Sequence, residues 1–172
     1  MKKLILVVLI LVLMQGVCAA DRFQNEPDGF RGIKWGATFD SYKDEMKLVD
    51  TDESWGGVGL YVKNGDDYKI GSAVVDRIEY GFWQGQLILA TIHTTGYVNW
   101  NGVHESLIAK FGHPVQMNRY IENYNWWGSK TLLSSNFNEV SKKGKASFYS
   151  KIVTDTATEW EKGKAKQGAN SF

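Results

Sequence analysis

Apolar positions follow three rhythms along this chain: a run without interruption, steps of three and four, and strict alternation. The run comes first, from Leu4 to Met14, and is treated below. Phe39, Tyr42, Met46 and Val49 recur at helical spacing, which predicts a short amphipathic helix with Thr38 as its cap and Asp40 in its first turn. After Trp55-Gly56-Gly57 the period falls to two. Val58, Leu60 and Val62 alternate with small or polar neighbours, and Asn64-Gly65 is a two-residue hairpin signal. The return strand starts near Tyr68 and Ile70, bends at Gly71-Ser72 and continues through Val74, Ile78, Tyr80 and Phe82. Gln84-Gly85 then turns it into a third strand, Leu87 to Ile92.

The helical period returns with Val103, Leu107 and Phe111 at i, i+4 and i+8. Asn99 or Asn101 serves as the cap, Lys110 sits in the last turn, Gly112 suits the left-handed position after the end, and Pro114 stops continuation. Three more strands follow, around Val115 to Asn125, Lys130 to Phe137 and Ala146 to Val153, turned at Trp127-Gly128-Ser129 and Lys143-Gly144. The order helix, three strands, helix, three strands predicts an α+β fold. Its antiparallel sheet would carry the helices packed on one face, and the order suggests two α-βββ units.

The uninterrupted run changes the picture of where the protein resides. Lys2 and Lys3 precede 11 apolar residues, and Ala19 and Ala20 offer small residues before Asp21, which is the layout of a cleaved signal peptide. At 11 residues the run falls short of the roughly 20 that a spanning helix needs. The competing reading is a lipidated Cys18, but Gln15 and Val17 occupy positions where lipoprotein signals carry Leu and a small residue. The chain therefore divides into a signal peptide at 1–20 cleaved between Ala20 and Asp21, one α+β domain at 21–153, and a polar C-terminal helix or tail at 154–172. Residues 21 to 28 read as a flexible lead-in. A periplasmic or secreted location follows, with no integral membrane span in the mature chain.

Composition then narrows the chemistry. The 172 residues carry a formal charge of +1; loss of Lys2 and Lys3 takes the 20 basic side chains to 18 against 19 acidic, a difference of −1. A nucleic-acid partner needs a clustered basic footprint, so none is expected. Cys18 is the only cysteine and leaves with the signal, so the mature domain holds neither disulfide nor thiolate chemistry.

His93, His104 and His113 have no HExxH or HxH spacing, and neither a metal site nor a cofactor is expected. GxSxG and SxxK are absent, Gly56-Gly57-Val58-Gly59 leads into a strand rather than a phosphate-cradling helix, and Asp66-Asp67 lacks the spaced ligands of a calcium loop. No catalytic residue is assigned. The aromatic set, 7 Trp, 8 Tyr and 8 Phe, is the remaining resource. Trp126 and Trp127 are consecutive on a strand and so face opposite ways, while Trp83 and Trp127 sit beside turns. Trp83, Trp126 and Trp127 are therefore the candidate binding residues.

The stretch Gly102 to Pro114, with Leu107-x-x-x-Phe111-Gly112-x-Pro114 followed by a Trp-containing hairpin, resembles the helix–hairpin module of small outer-membrane assembly proteins of the SmpA/BamE type and of β-lactamase-inhibitor-like domains. Phe30-Arg31-Gly32-Ile33-Lys34-Trp35-Gly36 resembles the start of uncharacterised small exported bacterial proteins. The resemblance implies an envelope-located, non-enzymatic scaffold whose partner is an envelope protein, and it transfers no functional residue. The alternatives are a small hydrolase of an envelope polymer, using a carboxylate with His104 or His113, and a soluble inhibitor of a secreted enzyme.

Overall fold

Eight strands form the main sheet of the computed structural model, which describes residues 23–169. The signal segment, with Cys18 and the Ala20–Asp21 junction, lies outside the described residues, as do residues 170–172. In chain order the strands are β1 (Gly29–Phe30), β2 (Ile33–Lys34), β3 (Met46–Asp52), β4 (Val58–Lys63), β5 (Lys69–Ile70), β6 (Ala73–Val74), β7 (Arg77–Trp83), β8 (Gln86–Thr95), β9 (Val115–Gln116), β10 (Asn123–Trp127), β11 (Thr131–Asn138) and β12 (Lys143–Ser150). The helices are α1 (Tyr97–Phe111) and α2 (Lys151–Ala169). The sheet runs β3-β4-β7-β8-β12-β11-β10-β9, with every pair antiparallel, so the α+β class and the antiparallel sheet are as expected. No described helix is long and apolar enough to cross a membrane.

The helices do not share a face, contrary to the expectation. Neighbours on a strand point to opposite sides, and the two cores divide accordingly. Ala90, Ile92 and Phe148 pack with Val103, Leu107 and Phe111 of α1, whereas Leu89 packs with Val153 and Ala157 of α2, with Tyr149 against them. Nor, among the described residues, does an α-helix precede β3, as the α-βββ grouping requires. Residues Phe39–Ser41 and Lys43–Glu45 make single 3-10 turns, and Met46 onward is the edge strand β3, paired with β4 from Met46↔Lys63 to Asp52↔Val58. Four apolar positions at helical spacing are outweighed here by two tertiary contacts. Phe39 is held 4.5 Å from Tyr61 and 5.3 Å from Phe82, and β4 offers Met46–Asp52 a free edge to pair with, Val49 falling at a bulge in that register.

Two further expectations are corrected. The return strand after Asn64-Gly65 is not continuous: β5 and β6 form a separate ribbon, and β4 pairs with β7 instead. Asn99 does not cap α1, whose cap is Gly96. It ties the ribbon to the helix, accepting from the Val74 amide at 3.1 Å and donating to the Thr95 carbonyl. At this crossing a Cβ on Gly102 would meet the Ala73 Cβ at 3.1 Å, so glycine permits the close approach.

The lead-in is also fixed from Phe23 onward. Glu26 accepts from the Thr131 amide at 2.8 Å and from the Ser129 hydroxyl, closing the β10–β11 turn, and Trp35 donates to Thr131 Oγ1 at 2.7 Å. Burial disfavours the charged Glu26, but the bonds from Lys130, Thr131 and Ser129 outweigh it and hold its carboxyl below the ordinary glutamate value.

Candidate functional site

The three candidate tryptophans have different fates. Trp83 is buried under α2, donating to the Trp55 carbonyl at 2.9 Å with its ring edge-on to Trp160 at 6.2 Å. Trp126 is buried on the α1 side, where its indole N–H donates to the Gly112 carbonyl at 2.7 Å and fastens the end of the helix. Trp83 and Trp126, candidate binding residues by sequence, are thus core and anchoring residues in the structure. Trp127 is 55% exposed, on the face opposite Trp126.

That second face is polar beyond the reach of α2. One row runs across five strands as Glu79, Thr91, Ser147, Ser134 and Asn125, and the next as Arg77, His93, Lys145, Asn136 and Asn123. Glu79 is buried and fully engaged, one oxygen taken by Arg77 at 2.7 Å and the other by His93 at 2.6 Å. Its desolvation is outweighed by the bond from His93 and the charges of His93, Arg77 and Lys145, so its carboxyl is held below the ordinary value. This is the carboxylate–imidazole pair that the sequence did not single out. It borders a cleft of about 330 Å³ lined by Asp76, Arg77, His93 and the Lys143–Lys145 segment.

His104 is buried. Trp100 Nε1–H donates to Ser135 Oγ at 3.1 Å, and the same hydroxyl shares a hydrogen bond of 3.2 Å with His104 Nδ1. Its ring stacks on Trp100 at 5.1 Å and lies 4.3 Å from Tyr124. Burial pushes its pKa down, against a smaller upward pull from Glu105 and Glu122. His113 is exposed just beyond α1. His104 and Ser135 thus form a packed link in the core, and Ser135 has no exposed surface from which to attack a substrate. Among the described residues no cluster of three or more His, Cys, Asp or Glu is placed to hold a metal ion.

Another set of exposed apolar residues comes from the end of the sheet where β8 and β11 finish and β10 and β12 begin. Three connections meet there. The β8–α1 junction is tied to the β11–β12 turn by the Gly96 amide donating to the Lys142 carbonyl at 2.8 Å, and the β9–β10 loop is tied to β11 by Phe137 N–H to the Glu122 carbonyl at 2.9 Å. The Tyr97 ring meets that of Phe137 at 5.4 Å. From these connections project Tyr97, Val98, Met117, Tyr120, Ile121 and Val140, which range from 47% exposed at Tyr97 to 95% at Val140. Arg119 lies over the Tyr120 ring at 4.8 Å and donates to its hydroxyl at 2.6 Å, setting an aromatic–guanidinium pair among them. The sequence carried a trace of this surface: Tyr120 beside Ile121 breaks the alternation begun by Val115 and Met117 in the stretch read as one strand from Val115 to Asn125. No protein-family model, curated protein or solved structure matches the chain.

Proposed function

We propose that this protein is an exported, non-enzymatic module of the bacterial envelope that binds another protein through the apolar end of its sheet. The carrying observation is the exposure of Tyr97, Val98, Met117, Tyr120, Ile121 and Val140 on three connections at one end of the sheet, the first tied to the β11–β12 turn and the β9–β10 loop tied to β11. Apolar side chains scattered singly on a surface need no explanation, but a grouped set rimmed by polar residues marks an interaction site. Tyr, Met and Arg are also the types that protein interfaces enrich. The short β9, with only Val115 and Gln116 in the sheet, leaves the adjoining edge open to a partner's backbone. Export rests on the Lys2-Lys3 pair, the apolar run and Ala19-Ala20.

Site-specific photocrosslinking in envelope preparations tests the reading. A photoreactive residue at Tyr120 is expected to give one discrete adduct that disappears in an Ile121→Asp background, while the same probe at exposed Thr156 on α2 gives none. Equal labelling from both positions would refute it. The mass of the exported protein checks the location, with Asp21 expected as the first residue.

A further inference from the structure

A second concavity lies far from that surface in the fold's construction, between the β1–β2 turn, β5 and the C-terminal half of α1. It measures about 360 Å³, within the range of small-molecule sites. Its walls are apolar, supplied by Phe30, Ile70, Ile92, Leu107, Phe111 and Phe148. Three cations line it as well: Arg31, Lys69 and Lys110, with no carboxylate among the lining residues.

The cations are not equivalent. Arg31 is committed, because its Nη1 pairs with Asp66 and donates to the Asp67 carbonyl at 2.7 Å. Asp66 in turn accepts from the Tyr80 hydroxyl at 2.7 Å, so the β1–β2 turn is pinned to the β4–β5 loop and that wall of the cleft is preformed. Lys69 and Lys110 have no ion-pair partner among the described residues, and Lys110 Nζ stands 5.5 Å from the centre of the Phe111 ring. Two ammonium groups without an ion pair thus border a preformed apolar hollow whose lining holds no carboxylate, with Asp66 behind it taken by Arg31 and Asp67 accepting from the Lys69 amide at 2.8 Å.

We infer that this cleft binds a single-chain aliphatic anion, its hydrocarbon chain against Ile92, Leu107 and Phe148 and its charged head toward Lys69 and Lys110. Apolar walls select the chain, and the two lysines select a head group of negative charge over a neutral one. Arg31 holds the wall in place.

Titration calorimetry of the purified protein with dodecanoate below its micelle concentration, with dodecan-1-ol as the uncharged control, tests the inference. One-to-one saturable binding of dodecanoate is expected. The dissociation constant should rise at least tenfold in the Lys69→Ala/Lys110→Ala double variant and at least tenfold in Ile70→Trp, which fills the cleft. Dodecan-1-ol should bind more weakly and equally to wild type and the double variant. Both variants should keep the wild-type unfolding midpoint in urea. No saturable binding by the folded wild type, or equal dodecanoate affinity in wild type and the double variant, would overturn it.

Discussion

Buried polar side chains set the pH response of this fold, and His104 and Glu79 act in adjoining pH ranges. Burial lowers the His104 pKa from 6.5, so below pH 6.5 the unfolded chain takes up a proton that the folded one resists. The His104 contribution is therefore complete above that pH and lost as pH falls through its folded value. Glu79 follows the same direction at lower pH: its folded pKa lies below 4.5, so its contribution holds above 4.5 and is lost as pH falls through the folded value. Urea midpoints measured from pH 8 to 5 are expected to fall below pH 6.5. His104→Phe, which keeps the ring between Trp100 and Tyr124, should flatten that fall while lowering stability at pH 8 by about 1 kcal/mol through loss of the Ser135 bond. An unchanged slope would show that His104 is not the group responsible. None of this pairing was legible in the sequence, because Glu79 and His93 are 14 positions apart and meet only through the β7–β8 register.

At the scale of elements, local signals were readable where they were redundant and misleading where one alone spoke. The end of α1 carries helical spacing, Lys110, Gly112 and Pro114 together, and the structure ends the helix at Phe111 with Gly112 at φ +80°. The stretch from Thr38 to Val49 had signals at its start alone, Thr38 and Asp40 beside the spacing, and the free edge of β4 took Met46–Asp52 as a strand. The C-terminal segment, expected as a polar helix or tail, is helix α2. It is polar along most of its length, yet Val153, Ala157 and Trp160 fall at steps of four and three and dock it over Val58, Trp83 and Ile88. A Cβ on Gly56 would lie 2.5 Å from the Trp160 ring, so the glycine makes room for that docking. Trp160→Ala is expected to cost about 1–2 kcal/mol and to shift tryptophan emission to the red as Trp83 gains water. Retention of both stability and emission would mean that α2 does not rely on this contact.

Across the whole molecule, the two helices cover opposite faces of the sheet and leave two regions open: the polar rows with Trp127, and the apolar end around Tyr120 and Ile121. Trp127 ends β10, roughly 14 Å at about 3.4 Å per residue from its first residue, where the loop carrying Tyr120 and Ile121 leads in. That separation lets substitutions tell them apart. The three tryptophans named from the sequence divide into buried Trp83 and Trp126 and exposed Trp127, and the apolar end went unread, since its residues come from three connections brought to one end only by the strand register. Once the crosslinked partner is isolated, its affinity for Ile121→Asp and for Trp127→Ala, each compared with wild type, tests the central claim most directly. A charge placed among buried apolar anchors removes a contact of the kind worth about 2 kcal/mol or more, which is upward of tenfold in affinity. The account predicts at least a tenfold loss for Ile121→Asp and less than a threefold change for Trp127→Ala, with unfolding midpoints unchanged in both. Full affinity in Ile121→Asp together with a loss in Trp127→Ala would contradict it and move the binding surface to the polar face.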